Sequence, residues 1–249
     1  MRIQLPEMKH KLHQMLILML VMILTGATLH AQSRWEAGVG VGGVGYLNKQ
    51  DLLSKEFHAG ISGHVRKYLN DFIALCYNFQ VGRLCGRDSH YPDRRSRNLM
   101  FESRFMENAL LVEWDFYNIN PVFYRQRYGF QSIFSPYFFT GIALIYNNPE
   151  PTFKDTQTPY TWIQEGIDID QNARYPHSHI AFPIGAGIKY DLSPEWTLGL
   201  EVTFRIATTD YLDGISYSGN PKRNDAYQMA NLHLTRRLGL SAMKIRRKW

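Results

Sequence analysis

Asp168, Asp170 and Asn172 stand at alternate positions, as the first oxygen ligands of a calcium loop do. Ala173, however, occupies the place where such a loop turns on glycine, and His179 the place of its bidentate glutamate. His177 and His179 share one face of an extended segment and could share a metal ion, but the spacing supplies no third ligand, and a polar rim is the plainer reading. His58 and His64 are three pleats apart, too far for a common ion; they suit hydrogen bonding in an interior. A hydrolase needs a nucleophile held by a base, and here Asp210, Asp213, Ser216 and Ser218 fall on one segment with His90 and His177 on others. No spacing among them singles out a pair. Residues 35–46, W-E-A-G-V-G-V-G-G-V-G-Y, carry repeated glycines like a dinucleotide-binding turn, yet no helix pattern follows them. The sequence therefore assigns no catalytic, cofactor-binding or metal residue, and no small-molecule substrate is expected.

A second group of polar residues is placed more regularly. Glu36, Arg66, Glu113, Lys189, Glu201, Arg205 and Arg237 each lie on the polar face of a segment whose other face is apolar at every second position. The pattern is clearest in residues 180–206. Ile180, Phe182, Ile184, Ala186, Ile188 and Tyr190 alternate with Ala181, Pro183, Gly185, Gly187 and Lys189. After the turn at 192–195, Trp196, Leu198, Leu200, Val202, Phe204 and Ile206 alternate with Thr197, Gly199, Glu201, Thr203 and Arg205. Period two is the mark of a strand, and two such runs about a short turn make a hairpin. Each run is about the 9 to 11 residues that cross a bilayer as a tilted strand, with apolar side chains toward lipid. A soluble barrel with the apolar face inward is the competing reading. In the lipid-facing reading the seven charged residues share a lumen, where they must pair to offset desolvation, and form an interior salt-bridge network.

The remainder of the chain favours lipid. Residues 1–31 have the form of a signal peptide: Arg2, Lys9 and Lys11 precede an apolar run too short to span a membrane, with cleavage expected after Ala31. The full chain has a formal charge of +6; without those residues the excess of Lys and Arg over Asp and Glu is four, too modest to suggest nucleic acid as a partner. Aromatics at 14% against 20% charged residues exclude a disordered chain. Cys76 and Cys85 lie nine positions apart along one extended run, roughly 30 Å at about 3.3 Å per residue, and are expected as free thiols unless the chain folds back at Gly82.

Alternation further predicts strands at 35–46, 57–68, 72–82, 105–116, 137–146 and 227–240, which with the hairpin make eight. Both faces of 137–146 are hydrophobic, leaving its register open. Short turns at 69–71 and 192–195 alternate with long connections at 47–56, 83–98, 147–178 and 208–224, read as polar loops; 118–132 is a long connection on the short-turn side. Both ends of an eight-stranded barrel lie on one side, the periplasmic side in bacterial barrels.

Several segments resemble the PorG-like outer-membrane barrels of the Bacteroidetes type IX (Por) secretion system: the glycine-rich 35–46, R-N-L-M-F-E-S, S-P-Y-F-F-T-G-I-A, and above all F-P-I-G-A-G-I-K-Y-D-L-S-P-E-W-T-L-G-L-E-V-T-F-R followed by T-D-Y-L-D-G-I-S. The tail Thr209, Asp210, Tyr211, Leu212, Asp213 is the specific part. The residues themselves give a signal peptide (1–31), an all-β, eight-stranded antiparallel transmembrane barrel of OmpA-like kind (32–240) and a basic periplasmic tail (241–249); the resemblance agrees with the barrel and places it in the outer membrane of a Gram-negative cell. It further implies a non-enzymatic protein that ties a periplasmic ring, made of a lipoprotein and a soluble partner, to the membrane. Partners would be outer-membrane lipids and the ring proteins. The chain departs from the pattern at 124–128 and in its C-terminal tail, so Tyr124, Arg125, Arg127, Tyr128, Arg246 and Arg247 are the expected docking residues. The alternative is a surface barrel acting through its outer loops in adhesion or envelope integrity.

Overall fold

The structure, a computed structural model, describes residues 35–47, 53–70, 72–90, 98–116, 134–152, 161–218 and 224–238. Eight strands close into an antiparallel barrel in sequence order: β1 (Trp35–Leu47), β2 (His58–Tyr68), β3 (Ile73–Arg87), β4 (Met100–Asp115), β5 (Phe134–Thr152), β6 (Ser178–Asp191), β7 (Trp196–Ala207) and β8 (Ala226–Leu238). Closure pairs β1 with β8 from Trp35↔Leu238 to Leu47↔Ala226, so no strand edge is left open.

Inward and outward residues alternate along most of each strand, and the barrel is inside out relative to a soluble protein. Val39, Val41, Ile61, Leu110, Val112, Phe182, Ile184, Leu200 and Leu232 are exposed, whereas Glu36, His64, Arg66, Glu107, Glu113, Lys189 and Arg205 are buried. Shielding one such apolar side chain from water is worth about 1.5–3 kcal/mol. Exposing all of these to water would cost on the order of tens of kcal/mol, more than the roughly 5–15 kcal/mol by which a folded domain is stable. The exterior is therefore a lipid-facing surface. Among the described residues no helix is long and apolar enough to cross a membrane; the strands do the crossing.

The two described short turns use the same device. Leu69 and Asn70 N–H groups donate to the Ile73 carbonyl, and Asn70 Oδ1 accepts from Phe72 and Ile73 N–H at 2.8 Å each. Leu192 and Ser193 donate to the Trp196 carbonyl, and Ser193 Oγ accepts from Glu195 and Trp196. A short polar side chain folding back on its own backbone fixes a tight turn.

Several boundaries move from those the sequence predicts. Residues 83–87 are not loop: β3 runs on to Arg87, a short 3-10 turn covers Asp88–His90, and β4 begins at Met100 rather than 105. The backbone passes straight through Gly82, and both cysteines are free and buried. Phe79, on the outward face of β3, is only 7% exposed. The long connection 147–178 is largely structured, because β5 continues to Thr152 and a helix, α1 (Thr161–Asn172), follows. Ile163, Ile167 and Asp170 are buried at helical spacing. The register of β5 is settled as well: Tyr137, Phe139, Ala143 and Ile145 point inward, and Phe138, Ile142 and Leu144 outward. Bulk can face the lumen here because β6 places Gly187 opposite Tyr137 and Gly185 opposite Phe139. A Cβ on Gly187 would lie 2.6 Å from the Tyr137 ring.

Candidate functional site

The lumen is stratified from the short-turn rim upward. At that rim, Arg66 donates to Glu36 Oε2 (2.9 Å) and Glu113 Oε2 (2.6 Å), and Lys189 to Glu113 (3.1 Å), Asp115 (2.9 Å) and the Tyr68 hydroxyl (3.1 Å). Arg237 joins Glu36 (3.1 Å) to Asp191, whose Oδ1 also accepts from the Thr197 hydroxyl. Five of the seven charges expected in one network, Glu36, Arg66, Glu113, Lys189 and Arg237, are thus linked directly. Glu201 belongs to a separate middle layer, held by the Tyr137 hydroxyl and by His233 Nε2 (2.9 Å), with His64 bonded to Thr235 (3.1 Å) beside it. Arg205 lies higher still, donating to Glu107 (2.9 Å), which also accepts from Tyr227. The carboxylates of Asp115, Asp191 and Glu107 complete these layers. Glu107 and Asp115 fall on the same inward face of β4 as Glu113.

Glycines on β1 admit this filling. A Cβ on Gly38 would lie 2.5 Å from the His64 ring, and one on Gly40 2.6 Å from Ser62 Oγ. Where β1 carries glycine on its inner face, at 38 and 40, the His64 and Thr235 side chains of β2 and β8 meet across it. Eight strands enclose about the space that side chains can fill, and the described inward side chains are buried there.

At the long-loop rim the segment from Thr209 to Ser218 is not the solvated loop its polarity suggests. Leu212 and Ile215 are buried in the core cluster that includes Val44, Ile145, Ile163 and Ile167. The Tyr46 hydroxyl, at the top of β1, bonds to both Asp213 (2.8 Å) and Asp225 (2.6 Å). Asp225 accepts from Leu212 N–H (2.9 Å), and Asn147 Nδ2 donates to the Leu212 carbonyl (2.8 Å). Asp170, on the last turn of α1, accepts from Ser216, Tyr217 and Ser218 N–H and from Ser218 Oγ. Gly166 lets the helix touch this segment, since a Cβ there would sit 2.7 Å from Ser218 N, and Gly214 turns the chain at a φ of +77°. Tyr211 stacks on Tyr175 with centroids 4.9 Å apart; burial and the Asp213 and Asp170 carboxylates push the Tyr175 phenol up. Thr209, Asp210, Tyr211, Leu212 and Asp213 therefore belong to a folded cap over the barrel mouth.

The cap also holds residues of two candidate sites. Asp168 and Asn172 are exposed on α1 while Asp170 faces the backbone of 216–218, so the three do not converge as calcium ligands do. Ser216 Oγ donates to Asp210 (2.7 Å) and Ser218 Oγ to Asp170 (2.6 Å), while His177 Nδ1 lies 3.2 Å from the Asn147 carbonyl. Both hydroxyls are engaged with carboxylates. Among the described residues no group of three or more His, Cys, Asp or Glu side chains is set to hold a metal ion. The expected signal peptide (1–31), Tyr124, Arg125, Arg127, Tyr128, Arg246, Arg247 and the expected tail (241–249) lie outside the described residues.

Fold and interior together define a membrane-spanning β-barrel with a filled lumen. The chain belongs to the family described as a domain of unknown function, DUF6089, whose model matches residues 11–236. No curated protein compared with it matches. Among solved structures it is similar to the Neisserial surface protein NspA (TM-score 0.49, 9% identity, 83% of this chain and 98% of that one). It is also similar to the N-terminal barrel domain of Pseudomonas aeruginosa OprF (0.41, 12%, 82% and 98%) and to the attachment invasion locus protein Ail of Yersinia pestis (0.38, 11%, 83% and 99%). Likenesses at this level bear on neither substrate nor partner.

Proposed function

We propose that the chain is a non-enzymatic outer-membrane component of a type IX protein secretion machine that anchors a periplasmic ring complex to the outer membrane. The observation that carries this reading is the ion-paired, capped interior. Ion-paired layers fill the lumen, and the T-D-Y-L-D segment that most resembles the secretion-system barrels closes its mouth. A lipid-embedded cylinder whose described inward face is packed with ion-paired side chains is suited to holding other proteins in place. The signal-peptide-like residues 1–31 and the even strand number put both ends of the barrel in the periplasm in this reading. The docking surface is then Tyr124, Arg125, Arg127 and Tyr128 with Arg246 and Arg247 of the tail. Replacing the four arginines together with alanine is expected to reduce co-purification of the ring lipoprotein and its soluble partner while leaving heat-modifiable migration of the barrel unchanged; undiminished recovery refutes the docking surface.

The folded cap favours a second reading, a surface barrel that acts through its outer face in adhesion or envelope integrity. Protease shaving of intact cells separates the two: loss of function after removal of 209–218 supports the surface role, and retained function supports the periplasmic one.

A further inference from the structure

Outward side chains at the short-turn rim differ between the two halves of the barrel. On β4 to β6 they are aromatic and packed on one another: Trp114 and Phe116 with centroids 5.3 Å apart, Phe116 and Phe138 at 5.2 Å, Phe134 and Tyr190 at 4.6 Å. On β7, β8, β1 and β2, four consecutive strands of the closed sheet, aromatic and basic residues alternate instead. Trp196 pairs with Arg236 across β7 and β8, and Trp35 with Lys67 across β1 and β2. Lys67 Nζ lies 5.2 Å from the Trp35 ring centroid and Arg236 Cζ 5.7 Å from that of Trp196.

Tryptophan rings on lipid-facing surfaces settle at headgroup depth. A cation resting on each ring is held at that depth, facing outward, and on the same side of the barrel as the other. Arg236 also meets Glu195 at 3.6 Å, but both side chains are about half exposed (58% and 49%), and a pair of that kind contributes little. Directly above the cations, Val39, Leu234 and Leu232 present bare apolar surface for acyl chains. Two donors over an apolar wall are complementary to a lipid whose headgroup carries net negative charge; a zwitterionic headgroup brings its own cation to the same place.

We propose that the Trp196–Arg236–Trp35–Lys67 collar is a binding site for an anionic phospholipid, with Lys67 and Arg236 donating to its phosphate. The proposal needs the lipid-facing exterior but not the secretion role. It is tested on the full chain by detergent exchange into mixed micelles of phosphatidylglycerol and phosphatidylcholine in equal amount, followed by native mass spectrometry of retained lipid. The wild type is expected to keep phosphatidylglycerol several-fold over phosphatidylcholine, the Lys67→Gln/Arg236→Gln variant to keep neither preferentially, and Arg83→Gln, at the opposite rim, to behave as wild type. Heat-modifiable migration reports folding of each variant, and if the double variant does not fold the two single variants carry the test, each expected to lower the preference. Equal retention of the two lipids by the wild type, or a preference that survives loss of both cations, overturns the proposal.

Discussion

The ring of Tyr137 occupies the space that a side chain at position 187 would need, and Gly187 stands opposite it in the β5–β6 ladder. The tyrosine cannot easily yield, because its hydroxyl is bonded to Glu201 across the lumen. Gly187→Ala is therefore expected to destabilise the barrel by about 1–3 kcal/mol, as overpacking does. At Gly199 the nearest atoms to an added Cβ are 3.8 and 3.9 Å away, so Gly199→Ala is expected to be tolerated. Urea unfolding in lipid vesicles, followed by gel migration, compares the two; equal effects would contradict the packing described.

Arg66 is the residue on which the lower ion-paired layer depends, since it bridges Glu36 and Glu113. Removing one partner of a buried pair leaves an uncompensated charge and costs roughly 3–5 kcal/mol. Arg66→Met should lower stability by about that amount, and adding Glu113→Gln should restore part of it. The same unfolding assay reads both, and an Arg66→Met barrel as stable as wild type would remove the layer from the account.

Tyr46 ties the top of β1 to Asp213 and Asp225, and hence to the cap. Tyr46→Phe removes the one hydroxyl proton that the Asp213 and Asp225 carboxylates share, and a hydrogen bond to a charged group is worth about 1.5–3 kcal/mol. Limited proteolysis is expected to cut faster within 209–218 in this variant, with the barrel still heat-modifiable. Identical cleavage rates would mean the cap is held elsewhere.

A lumen filled by side chains should not conduct. Reconstituted into planar bilayers, the protein is expected to leave the ionic current of the bare membrane unchanged. Discrete opening steps would show that the layers part.

Much of this was legible in the sequence because a strand writes its two faces in alternate residues: the inward places of Glu36, Arg66, Glu113, Lys189, Glu201, Arg205 and Arg237 follow from period two alone. What they pair with does not. Arg205 meets Glu107 and Lys189 meets Asp115 across non-adjacent strands, and that depends on the registers of every ladder between them. Bulky inward residues on β5 obscured its register, since Tyr137 and Phe139 are allowed only by glycines on the neighbouring strand. Helix α1 escaped notice because one buried pair, Ile163 and Ile167, is all the period it shows in a polar stretch flanked by prolines. The cap reads as a solvated loop because its aspartates hold backbone N–H groups, and nothing in composition separates that use from exposure to water.

Isolation of the full chain from native membranes in mild detergent, followed by identification of the proteins that come with it, tests the central claim most directly. The account expects a periplasmic ring lipoprotein and its soluble partner to co-elute with the barrel, and cells lacking the chain to lose secretion through that machine. A barrel recovered alone, from cells whose secretion persists without it, would contradict the anchoring role.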